Sequence, residues 1–199
     1  MLPFGPAKKH LWGLAAGGPL SAWHEESFQK LDSHYRRDKC LQILAEWWSI
    51  RNHEDAITKR NWLHMEGHTR EAIYFIQGGG LANAGEDLRG RIAYAREHED
   101  EILQSGLLAW DLGRLVSVAR WSYTGGLISQ AEAWEWITSI SPPLHDAYDS
   151  WETFGRGWML GYRYWNNGKQ ADPGFAKKLD WLLNDSASPW KNVGWVLRI

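Results

Sequence analysis

Apolar positions along the chain recur at helical spacing almost throughout, and no alternating apolar–polar pairs joined by Asn-Gly or Asp-Gly turns interrupt them. The pattern predicts a helix over about residues 6–16, with Pro6 in its first turn and Gly17 past its end. A second is predicted from Ser21 through "SAWHEESFQKL", and a third over "YRRDKCLQILAEWW", with Cys40, Leu41, Leu44, Trp47 and Trp48 on one face. A fourth runs from Asn52 to about Met65. A fifth has Thr69 as its N-cap and ends at the mobile connection Gly78-Gly79-Gly80, and a sixth spans about 86–103.

The second half is patterned more strongly. "GLLAWDLGRLVSVARWSYTGG" is apolar on nearly all sides, which marks a central, buried helix. Ser129 and Glu132 form a capping box for the next helix, which Pro142-Pro143 ends. "SWETFGRGWMLGYRYW" puts Trp151, Phe154, Trp158, Gly161 and Trp165 on one stripe, with Tyr162 beside it. Gly157 and Gly161, four apart, admit a close neighbour; glycine in a helix interior costs about 1 kcal/mol relative to alanine, so packing must offset it. Asp172 caps the following helix with Pro173 in its first turn, and a short turn follows Ser188-Pro189. The resulting expectation is all-α: one bundle-like domain of about eight to ten helices, with a core built on tryptophan.

Composition sharpens this picture in one respect. The chain has 199 residues, of which 44% are hydrophobic and 23% charged, and it holds 15 tryptophans. A buried indole brings a wide apolar plate and one N–H that needs a partner, so the core should carry fixed hydrogen bonds at its edges. The net charge is −2, and no basic run exceeds two residues, which argues against a nucleic-acid partner. No stretch approaches the roughly 20 apolar residues that span a bilayer, and the apolar run Leu11–Ala16 is too short for an export signal. The single cysteine, Cys40, excludes an intrachain disulfide and fits a cytoplasmic location.

Candidate chemistry is sparse. Asp111 and Arg114 lie one turn apart on the buried helix, and Glu152 and Arg156 repeat the spacing on the tryptophan-striped one, with Arg163 two turns on. Buried arginines need carboxylates, so these five predict an internal polar network or a ligand pocket. The acidic run Glu97, Glu99, Asp100 and Glu101 is either a solvated helix face or a docking patch for a basic partner. His64 and His68 stand at i,i+4 and are weak metal candidates. The zinc-protease pattern fails, since Met65 follows the first histidine. Cys40 falls on an apolar face where an inert thiol is expected, no G-x-S-x-G elbow occurs, and "GGGLANAGED" lacks the Lys-Ser/Thr of a phosphate loop. No catalytic residue and no cofactor is assigned.

The blocks "LHMEGHTREAIYF", "AWDLGRLVSVARWSYTGGLISQAEAWEWI", "DSWETFGRGWMLGYRYW" and "SPW" with Trp195 resemble a family of bacterial proteins, a domain of unknown function (number twelve-sixty-six), over about residues 40–195. Trp110, Asp111, Arg114, Glu132, Trp134, Ser150, Trp151, Gly161 and Trp165 hold matching positions. The resemblance implies a helical domain, preceded here by an N-terminal helical extension over 1–39, and it implies no activity. Three functional readings follow. The first is a non-catalytic protein-binding domain, such as an immunity protein occluding a bacterial toxin encoded nearby. The second is a small-molecule-binding or enzymatic domain using the acid–arginine network. The third is a structural adaptor that self-associates.

Overall fold

A computed structural model describes residues 7–80 and 85–196. Pro6 and the part of the glycine-rich connection at 81–84 lie outside the described residues. Among those residues the chain forms thirteen helical segments and no strand. In order they are α1 (Lys8–Ala16), α2 (Gly18–Trp23), α3 (Arg37–Trp48), α4 (His53–Met65), α5 (Gly67–Ile76), α6 (Glu86–Glu97) and α7 (Glu99–Ser105). There follow α8 (Leu108–Thr124), α9 (Gln130–Ser139), α10 (Ser141–Ala147), α11 (Trp151–Trp165), α12 (Pro173–Asn184) and α13 (Pro189–Asn192).

The all-α, tryptophan-cored expectation holds, and short segments account for the larger number of helices. The predicted sixth helix divides at His98 into α6 and α7. Pro142 and Pro143 follow the end of α9 at Ser139, as read, and also lie in the first turn of α10, where a missing N–H is harmless. The predicted second helix is also displaced: α2 has already ended at Trp23, Glu25 adopts φ 57°, and irregular chain runs to Arg36. The fifth starts at Gly67, and the Thr69 hydroxyl accepts from the Leu107 N–H at 2.8 Å instead of capping.

Helix α8 is the axis of the molecule. Every residue from Ala109 to Ser122 is buried, as an all-round apolar helix requires. It packs on α11, α9, α3 and α4, and α1 and α2 also reach it. A second, smaller cluster under α5, α6 and α7 gathers Phe75, Ile92, Ile102, Leu107, Leu160 and Tyr164. The indole hydrogen bonds largely go to backbone carbonyls from distant chain. Trp12 donates to Trp195, Trp190 to Ala15, and Trp151 to Val193, at 2.7–2.8 Å. Trp110 and Trp158 depart from the expectation, since their indole nitrogens are buried with no partner among the described residues.

The predicted close approach occurs between α8 and α11. A Cβ at position 161 would overlap Trp110, and one at 157 would press on the Tyr148 ring. Trp165, at the end of the stripe, is exposed. Overpacking of this kind costs typically 1–3 kcal/mol, so Gly161→Ala should lower the urea midpoint while leaving the slope of the transition unchanged. An unchanged midpoint would show that the two helices can separate freely.

Candidate functional site

The break between α4 and α5 brings together a histidine, a buried carboxylate and a buried arginine. Helix α4 stops at Met65, and Gly67, at φ 51°, turns the chain into α5. That conformation favours glycine, and any Cβ there would also overlap the Asp111 carboxylate. The turn aims both the backbone and the ring of His68 at the same acid. The His68 N–H donates to Asp111 Oδ2 at 2.7 Å, and Nδ1 lies 2.8 Å from Oδ1. Asp111 stands in the first turn of α8, only 1% exposed, where the helix dipole also favours its charge.

Arg114 completes the cluster. Its Nη2 donates to Asp111 Oδ1 at 2.7 Å and its Nε to the Trp110 carbonyl, while the guanidinium lies 4.2 Å from the Trp110 ring centre. Burial pushes Arg114 down to about 10, against the pull of the Asp111 charge and hydrogen bond, so it remains a cation at neutral pH. Arg114 Nη2 is also 3.0 Å from His68 Nδ1. A guanidinium only donates and a carboxylate only accepts. The shorter contact and the ionic acceptor assign the ring proton to Nδ1, facing Asp111. Arg114 is satisfied by the same oxygen. This tautomer leaves Nε2 as a bare acceptor.

The His68 ring lies between the edges of Trp62 (5.1 Å) and Tyr164 (6.2 Å) and is 12% exposed. It lines a depression of about 450 Å³ together with Trp62, Glu71, Tyr74 and Arg91. A second depression, about 280 Å³, lies against Leu63, Met65, Ile73 and Leu108; Glu66 and Arg70 border both. Behind the first, the Tyr164 hydroxyl donates to Glu71 Oε2 at 2.7 Å, and Arg91 approaches the same oxygen at 3.2 Å. Burial, reinforced by Glu71, pushes Tyr164 upward, which keeps it a donor.

The other predicted site residues go elsewhere. Glu152 and Arg156 pair at 3.1 Å, but on the open face of α11, with 70% and 67% of their side chains exposed. Arg163 donates to Gln170. Among the described residues, therefore, the five do not form one buried network: only Asp111 and Arg114 do. His64 and His68 are not on one helix face, because the helix ends between them; His64 turns to the Ser139 carbonyl at 3.3 Å. Glu99, Asp100 and Glu101 occupy the first turn of α7, with Glu97 at the end of α6, and Glu101 pairs with His98. Acids at a helix N-terminus complement its dipole, which explains much of this patch.

A second buried network has no counterpart in the sequence reading. Arg120 donates to Glu26 Oε2 at 3.2 Å, to Ser21 Oγ, and to the carbonyls of Leu31 and Asp32. Trp121 and Ser33 donate to the other Glu26 oxygen. It ties the irregular chain between α2 and α3 to the central helix. An arginine on an otherwise apolar element was the only local signal.

No helix among the described residues is long and apolar enough to cross a membrane. Residues 43–195 match the model of a family described as protein of unknown function (DUF1266), well over half of the chain. No curated protein and no solved structure matches.

Proposed function

The chain belongs to the DUF1266 family of proteins of unknown function, and from the surface around His68 we propose that it is a non-catalytic binding domain that docks a protein partner across α4 and α5. The observation that carries this reading is the clustering of large exposed side chains beside two adjoining depressions. Met65 is 79% and Tyr74 57% exposed. Trp62, Arg70 and Arg91 border the same hollows. Tryptophan, tyrosine and arginine around a recess are the residue types that dominate binding energy at protein interfaces.

The acidic turn of α7 is the weaker docking candidate, because the helix dipole already accounts for its charge. The more specific form of the reading is an immunity protein in a bacterial cytoplasm, occluding a toxin encoded nearby. The absence of a nucleophile motif from the sequence supports occlusion over chemistry.

The test is affinity capture from native lysate with three baits: the wild type, Met65→Glu/Tyr74→Glu, and Glu99→Lys/Asp100→Lys. Losing a hot-spot contact costs about 2 kcal/mol or more, so the first variant should bind the captured protein at least about 30-fold more weakly. The α7 variant should retain it. No stoichiometric partner at micromolar concentration, or one held equally by both variants, would overturn the assignment.

A further inference from the structure

We infer that the depression over His68 is also a small-molecule site, which takes a neutral hydroxylated aromatic compound and accepts its hydroxyl proton in a hydrogen bond to His68 Nε2. This goes beyond protein docking and stands independently of it.

Three features select that chemistry. First, the imidazole is oriented from behind. Asp111 is the positioning residue: it holds Nδ1–H at 2.8 Å and the His68 backbone N–H at 2.7 Å. Among the described residues nothing bonds to Nε2, so the ring presents one acceptor to the hollow and calls for a donor. Second, the charges at the rim are already matched. Glu66 pairs with Arg70 at 3.1 Å and Glu71 with Arg91 at 3.2 Å, and the nearby Lys59 ammonium lies over the Trp62 ring, 5.0 Å from its centre. Third, two of the walls are aromatic. Trp62 stands edge-on to His68 and Tyr74 borders the opening. A hollow of about 450 Å³ lies within the range of small-molecule sites, which pair apolar walls with a few fixed polar groups. A planar ring against Trp62 and Tyr74, with its hydroxyl on Nε2, uses all three.

The experiment is side-chain ¹⁵N NMR of the full chain, titrated with phenol and with anisole, which has the same ring but no donor. The free protein should show His68 protonated at Nδ1 and bare at Nε2. Phenol at millimolar concentration should shift the Nε2 signal, and anisole should bind about three- to ten-fold more weakly, the factor of one net hydrogen bond. His68→Phe, which has no acceptor, should remove the preference for phenol. Because that change touches a buried cluster, Tyr74→Ala serves as the second variant: Tyr74 is exposed, so the protein keeps its fold, and phenol should weaken several-fold. An Nε2–H tautomer in the free protein, equal binding of phenol and anisole, or no shift at His68 under saturating phenol would each overturn the inference. None of these outcomes bears on the capture experiment, so the two readings fail separately.

Discussion

Gly67→Ala should be among the most damaging single-methyl changes in this protein, lowering its thermal midpoint by roughly 6–12 °C. Two costs add. An L-residue in the left-handed region pays roughly 1–2 kcal/mol, and position 67 sits at φ 51°. Forcing a methyl into packed surroundings costs typically 1–3 kcal/mol, and here the methyl would overlap the Asp111 carboxylate. For a domain of this size, 1 kcal/mol moves the midpoint by roughly 2–4 °C, so a sum near 3 kcal/mol gives the stated range. The carboxylate cannot simply swing aside, because the His68 backbone and ring and Arg114 all hold it. Gly78→Ala is the control. Its φ is 97°, yet a Cβ there meets no atom within 4 Å, so it reports the backbone cost alone. Calorimetric scans of both variants separate the two contributions. Equal losses would mean that Asp111 does not lie against the glycine. A larger loss at 67, with the His68 ring signals disturbed, ties the helix break to the site.

Glycine 67 also shows where sequence reading stops. Within "HMEGH" it falls between a helix predicted to end near Met65 and one predicted to start at Thr69, yet the i,i+4 spacing also reads as two histidines on one helix face. In the structure it is the break itself, and the break sends the two histidines apart. The acid that requires it is 44 positions away, at Asp111, and no periodicity connects them. Local signals fared better. The Ser129–Glu132 capping box and the Asp172 cap with Pro173 both form as their spacing predicts, since both partners lie within one helical turn. The all-round apolar character of α8 correctly announced its central place. Spacing alone misled at Glu152 and Arg156. Their i,i+4 separation does bring them together, but it says nothing of burial. Their phase on α11 does: counted at 100° per residue, they sit about 100° and 140° away from Trp151, off the buried stripe.

The same distinction governs the second large effect, at Glu26. This acid lies in chain with no helical period, and its partners are on α8, 94 and 95 positions away. Removing one member of a buried pair leaves the other charge uncompensated, at about 3–5 kcal/mol. Glu26→Gln, which strands Arg120, should therefore destabilise the protein by about 3 kcal/mol at neutral pH. The loss should also depend on pH. Burial raises the carboxyl, but the Arg120 charge and the donors Ser33, His34 N–H and Trp121 outweigh it, leaving Glu26 below its ordinary 4.5. A group depressed on folding contributes stability that is fully present above its unfolded value and fades as pH falls through its folded one. Melting curves of wild type and Glu26→Gln should thus run a constant distance apart above pH 5 and converge below about 4.5, as the wild-type carboxylate takes up its proton. Curves that stay parallel down to pH 3 would mean that folding leaves the Glu26 carboxyl at its unfolded value. Replacing the pair together, as Glu26→Leu/Arg120→Met, should recover much of the loss, because a buried ion pair exchanged for apolar side chains of similar volume is often neutral or stabilising. Failure to recover would show that Arg120 is needed for its bonds to the Leu31 and Asp32 carbonyls, which hold the irregular segment on α8.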